Sequence, residues 1–243
     1  MKKNFLLLIL LFAANFCVAQ TKLPQQFYEG FINSKIPVNL SLTFDANLIY
    51  GTLTYKRVGQ PIKIIGTIEN DNILLHEFAD KADITGIYYG TKKGDEISGS
   101  WSSPSGKEMN FKIKKTEATQ VEKSEIKSVT GSYAYSFGKD GGSGNMYVRQ
   151  TDKDKIIVEI QAVKGLPSYN QAVIAKNTLK LVRNEAIYES KEFGKCLLKV
   201  SFFEDGANII YLDGGYECGF GNGASVVGNY LKFDSKAPKF DKK

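Results

Sequence analysis

The sequence predicts an all-β protein, built as two small antiparallel β-meander or barrel-like domains in tandem. Apolar and polar residues alternate with a period of two in short runs from Phe27 onward, the spacing of half-buried strands. Turn-forming clusters separate the runs, among them Asp45-Ala46-Asn47, Asn70-Asp71-Asn72 and Lys93-Gly94-Asp95. Glycine recurs two residues before a large apolar residue on the same strand face, at Gly51-x-Leu53, Gly66-x-Ile68, Gly86-x-Tyr88 and Gly99-x-Trp101. A missing side chain there lets a strand bend or a neighbour approach closely. Short strands, tight turns and no long crossover favour up-and-down barrels or strongly curved sheets.

Residues 1–19 read as a secretory signal peptide, with Lys2 and Lys3, an apolar run from Phe5 to Phe12 and small residues toward Ala19. That run is far shorter than the about 20 apolar residues that span a bilayer, so no transmembrane segment is expected in the mature chain. Lipoprotein anchoring at Cys17 is disfavoured, because Phe16 fills a position where such signals carry a small residue. The destination is the periplasm or the exterior. Cleavage after Ala19 leaves 30 basic against 26 acidic residues, a net charge of +4. Lysines spread along the chain read as a soluble surface, and no nucleic-acid partner is expected.

The first module covers residues 20–114. Its strands are expected near Phe27–Ile32, Ile36–Phe44, Ile49–Arg57, Ile62–Ile68, Ile73–Phe78, Ile84–Gly90, Glu96–Trp101 and Lys107–Ile113. Trp101, the one tryptophan, reads as core packing, with a ligand-stacking role as the sharper alternative. His76, the one histidine, reads as a strand-end residue facing water; a single imidazole cannot supply the two or three of a catalytic zinc site.

Gly30 to Ile32, Ile36 to Val38, Gly51 to Tyr55, Gly59 to Gly66 and Ser98 to Gly106 follow in an order that resembles a module of exported bacterial proteins. The resemblance implies no activity.

Residues 115–128 lose strand alternation and become a mixed-charge linker or a short exposed helix. The second module covers 129–233, with strands expected at Thr130–Phe137, Asn145–Arg149, Lys155–Val163, Ala172–Ala175, Thr178–Val182, Ala186–Glu189, Lys195–Phe203, Asn208–Leu212 and Ala224–Phe233. The glycine-rich turn from Gly138 to Gly144 lacks a Gly-Lys-Ser/Thr ending and a following helix, which makes it a hairpin and not a phosphate loop. Gly165 to Asn170 is the longest loop, a rim element of a second barrel. Residues 234–243 read as a disordered tail.

Two cysteines remain after export to an oxidising compartment, Cys196 and Cys218, each beside an expected strand, and a disulfide between them follows. Free reactive thiols are the alternative, and no second histidine is present to activate them. The glycines from Gly214 to Gly228 supply turns and bulges, or else a backbone nest for an anion or a glycan edge. Ala186 to Ser190, Cys196 to Phe202, Cys218-Gly-Phe-Gly221 and Val227 to Tyr230 resemble a C-terminal module of exported bacterial proteins, which implies a small β domain closed by one disulfide.

No catalytic, cofactor or metal residues are assigned. A Ser-His-Asp arrangement would have to use His76, no G-x-S-x-G turn presents a serine, and no pair among 26 acidic residues stands out. The expected function is therefore non-catalytic: an exported binding or envelope-associated protein whose partner is a protein, a glycan or a small apolar ligand. Trp101, Tyr169, Phe220 and Asn222 are the candidate contact residues. Inhibition of a lysozyme-type hydrolase and lipocalin-like carriage of a small molecule are alternatives; a net charge of +4 works against the first, since lysozymes are basic.

Overall fold

The computed structural model describes residues 22–123 and 126–240. The expected signal peptide and Cys17 lie outside the described residues. The chain forms two closed barrels of eight antiparallel strands each, joined in sequence. The first contains β1 (Lys22–Ile32), β2 (Ile36–Asp45), β3 (Leu48–Tyr55), β4 (Pro61–Glu69), β5 (Asn72–Phe78), β6 (Ile84–Lys93), β7 (Glu96–Ser102) and β8 (Glu108–Glu122). The second contains β9 (Gly131–Ser136), β10 (Ser143–Asp152), β11 (Lys155–Val163), β12 (Gln171–Val182), β13 (Glu185–Ser190), β14 (Cys196–Phe203), β15 (Gly206–Asp213) and β16 (Gly228–Asp234). In each barrel every strand pairs with its sequence neighbours and the last pairs with the first, so no sheet edge is left open.

Alternation sets what fills them. In β5, Ile73, Leu75 and Glu77 share the inner face, while Leu74, His76 and Phe78 point outward. The first interior is filled by side chains such as Leu42, Ile49, Leu53, Ile64, Leu75 and Tyr88, all fully buried. The second is filled by Met146, Val148, Ile156, Leu198, Ile209 and Tyr230. Each buried aliphatic side chain contributes roughly 1.5–3 kcal/mol. Two buried tyrosines also tie the second barrel to its own incoming segments: Tyr133 donates to the Val129 carbonyl and Tyr230 to the Val226 carbonyl, both at 2.7 Å.

The recurring glycines do what their spacing implies. A Cβ on Gly66 would stand 2.0 Å from the Leu74 carbonyl oxygen, and one on Gly99 would stand 2.1 Å from that of Tyr89. Adjacent strands approach too closely there for any side chain, which is how a short meander curls into a barrel.

The barrels pack against each other through outer sheet faces. Ile65, Phe78, Ala82 and Ile84 of the first meet Ala134 and Phe203 of the second in a separate apolar cluster. Tyr50 stacks on Phe203 with ring centroids 5.0 Å apart and planes 15° from parallel. Burial, with Asp45, Glu204 and Asp205 nearby, pushes the Tyr50 phenol up to about 12. Lys63 pairs with Asp205 at 2.6 Å, half exposed.

Four expectations need correction. Residues 115–122, expected as linker, continue β8 and pair with residues 22–28 of β1, so only a few residues connect the barrels. The two strands expected at Ala172–Ala175 and Thr178–Val182 are one strand, β12, with a register shift where it faces Val158 and Ile160. Residues 224–227 are not strand, although Ala224 and Val226 are buried. The tail, expected to be disordered from residue 234, begins inside β16 at Asp234 and reaches Phe240, whose ring lies 5.2 Å under the Arg149 guanidinium, while residues 241–243 lie outside the described residues.

Candidate functional site

The segment between β15 and β16 crosses one end of the second barrel. Ala224 and Val226 enter its core, and Cys218 and Phe220 pack against it. A disulfide fixes this crossing: Cys196, fully buried at the start of β14, bonds Cys218 with Cα atoms 4.8 Å apart across a separation of 22 residues. Closing a loop of this size contributes about 3 kcal/mol in chain-entropy terms.

Backbone bonds fix the rest. Lys195 N–H donates to Glu217 Oε2 at 2.6 Å, and Glu217 N–H donates to the Gly214 carbonyl at 2.9 Å. On the other side Gly221 N–H donates to the Gln171 carbonyl at 2.9 Å, and Asn170 Nδ2 donates to the Asn222 carbonyl at 2.6 Å. Lys195 Nζ lies 2.7 Å from Asp213, which holds that carboxyl below its usual range. Since Glu217, Gly221 and Ala224 spend their N–H groups on protein carbonyls, the glycine-rich stretch serves as turns and offers no anion nest at those positions. Gly214 shows why glycine is needed: its φ is +67°, and a Cβ would lie 1.4 Å from the Lys195 carbonyl oxygen.

This stapled end carries large apolar side chains in solvent. Leu166 and Tyr169 are about half exposed on the β11–β12 loop, Phe193 is 62% exposed on the β13–β14 loop, and Tyr216 is fully exposed beside the disulfide. Of the four candidate contact residues, Tyr169, Phe220 and Asn222 come together here, tied by the bonds between 170–171 and 221–222. Phe220 is only partly exposed and Asn222 is exposed. Phe193 and Tyr216 escaped the sequence reading; their signal was an aromatic residue in a turn with no strand alternation to bury it.

Trp101 lies elsewhere, inside the first barrel, half-buried against its core. It flanks a polar cluster that sequence reasoning missed. Glu77, 4% exposed, accepts hydrogen bonds from Tyr55 at 2.8 Å and Tyr88 at 3.3 Å on Oε2, and from Thr85 at 2.8 Å on Oε1. Gly86 makes room: a Cβ there would fall 2.4 Å from Trp101 Nε1 and 2.6 Å from Glu77 Oε2. Burial, reinforced by Glu77, raises both phenols above their ordinary value. Trp101 Nε1 is buried near the Tyr55 hydroxyl, and no described residue accepts its proton with good hydrogen-bond geometry. The inward parity of Ile73, Leu75 and Glu77 was the signal for this cluster. The three hydroxyls satisfy the buried carboxylate inside the filled barrel.

His76 corrects a further expectation. It does not face water: it is 9% exposed, because the second barrel covers the outer face of β5. Among the described residues no group of three or more His, Cys, Asp or Glu side chains is placed to hold a metal ion. No helix among them is long and apolar enough to cross a membrane.

A groove of about 610 Å³ also runs along the outside of the first barrel, over β1, β8 and β7, where half-exposed Phe31 stands among Ser34, Ser98, Asn110 and Lys112. Set against known protein families, curated proteins and solved structures, the chain matches none of them.

Proposed function

We propose that the protein is exported and acts without catalysis as a binding or envelope-associated protein, holding a protein partner at the disulfide-stapled end of the second barrel. The observation that carries this reading is the set of apolar side chains presented to solvent by three loops that backbone bonds and a disulfide hold in place. Exposed aromatic residues on a rigid support are the anchors of protein interfaces, since they bury large area at little conformational cost. The disulfide supports an oxidising destination.

Filled interiors in both barrels support rim binding over carriage of a small apolar ligand inside a barrel. Inhibition of a lysozyme-type hydrolase is a special case of the same reading, and residual activity of such an enzyme at micromolar excess of this protein tests it.

The direct test is capture from an envelope extract by the mature protein and by a Tyr169→Ala/Phe193→Ala/Tyr216→Ala variant. The expected result is a partner protein retained by the wild type and retained about tenfold less by the variant, the loss of one strong anchor. A glycan partner would instead show as captured material that survives protease treatment. Equal capture by both forms rejects the rim as the site.

A further inference from the structure

The contact between the barrels combines apolar side chains and a backbone bridge between Asp83 and Ser136 with one buried group of polar side chains. His76 projects from β5 between Ile65 of β4 and Ile87 of β6, its register partners. Its ring meets Phe78 and Phe137 edge-on, at 6.3 and 5.5 Å. Its Nδ1 faces Asn229 Nδ2 of β16 at 3.4 Å, and Asn229 Oδ1 accepts from Asn208 Nδ2 of β15 at 2.8 Å. All three polar side chains are buried. With Nδ1 accepting, the neutral ring carries its proton on Nε2, and Asn208, Asn229 and His76 form one donor-to-acceptor chain.

We infer that this contact is an acid-released latch: protonation of His76 breaks its bond with Asn229 and lets the barrels part, uncovering the apolar sheet faces between them. A protonated ring places an N–H on Nδ1 against the Asn229 amide N–H, donor against donor. Turning Asn229 over to answer it would require Asn208 to turn as well. The imidazolium would also be a buried charge without a counter-ion. The charged groups on the surrounding elements are Lys63 and Glu69 on β4, Glu77 on its own strand, Asp80, Lys81 and Asp83 in the β5–β6 connection, Lys139 and Asp140 after β9, Asp205 before β15, and Lys232 and Asp234 on β16. None forms an ion pair with the ring; Lys63 and Asp205 are paired with each other, and Glu77 is turned to the barrel interior.

Burial accordingly holds the His76 ring down at about 4, against an ordinary value of 6.5. The folded-state value lies below that of the solvated ring, so the closed contact keeps its full stability above pH 6.5 and loses it as pH falls from 6.5 toward 4. The opening constant rises about tenfold per pH unit across that window, roughly 300-fold in all. His76 is the chain's one histidine, so no other side chain has its ordinary value between about pH 5 and 6.5. The segment between β8 and β9 keeps the parted barrels tethered. The inference is independent of the rim reading.

Labelling of a buried cysteine by a disulfide reagent, on the mature chain without a histidine tag, tests it between pH 7 and pH 4.5. After correction for the reactivity of a free thiol, Ala134→Cys, in the contact between the barrels, is expected to lose protection by about tenfold per pH unit below 6.5. Ala207→Cys, inside the second barrel, keeps its protection. His76→Gln removes the pH response, and Asn229→Asp, which gives the imidazolium a counter-charge, shrinks or abolishes it by raising the folded-state value toward that of the solvated ring. Should either variant fail to fold, titration of the single imidazole resonance in the wild type decides. A value near 6.5, unchanged contact-face protection down to pH 4.5, or the same transition in His76→Gln overturns the latch.

Discussion

The ring of Phe193 occupies the space that a side chain on Gly219 would need: a Cβ there would lie 2.2 Å from the ring, at a backbone φ of +71°. The glycine therefore determines where one rim aromatic stands. Gly219→Ala combines left-handed strain with a forced shift of Phe193, and should cost roughly 1–2 kcal/mol in urea unfolding while weakening partner capture. Unchanged stability would show that Phe193 is not held by this contact.

The disulfide should count mainly in the second barrel. Cys196→Ser/Cys218→Ser is expected to lower unfolding free energy by about 3 kcal/mol and to raise exchange across residues 214–227 before the first barrel responds. Alkylation under denaturing, non-reducing conditions should find no reactive thiol in the mature protein; two alkylatable thiols would contradict the bond.

Inside the first barrel, Glu77→Gln leaves a single acceptor oxygen for three hydroxyl donors and sets an amide N–H against one of them. The expected loss is roughly 1–3 kcal/mol. Trp101 is the only tryptophan, so its emission reports the same cluster: Gly86→Ala should red-shift it by pushing the indole outward. An unshifted spectrum would argue that Trp101 is held elsewhere.

Phe203→Ala removes the stack on Tyr50 and leaves a cavity between the barrels, at an expected cost of about 3–5 kcal/mol. Lys63→Ala, at the half-exposed margin of the same contact, should cost less than about 1 kcal/mol. Reversal of that order in chemical denaturation would mean the barrels are held by charge and not by apolar packing.

Local patterns were legible in the residues. Period-two alternation located all eight strands of the first barrel, and the inward glycines pointed to a barrel or a strongly curved sheet because close strand approach is a local requirement. What was lost depends on distant partners. His76 looks solvent-facing until the second barrel covers β5. The polar run from Lys115 to Glu122 looks like a linker, yet it is a strand because residues 22–28 of β1 supply its hydrogen bonds. Residues 224–227 alternate like a strand, but the disulfide-held crossing makes them a plug. Of the candidate site, Tyr169, Phe220 and Asn222 were readable as loop residues rich in contact chemistry; that Phe193 and Tyr216 join them follows only from the fold of the stapled end.

Amide exchange of the mature protein with and without its captured partner tests the central claim most directly. The rim reading predicts protection gathered in residues 164–170, 191–195 and 214–223, with the outer face of the first barrel unchanged. Protection confined to the groove around Phe31 and Lys112, with the stapled end exchanging as before, would contradict it.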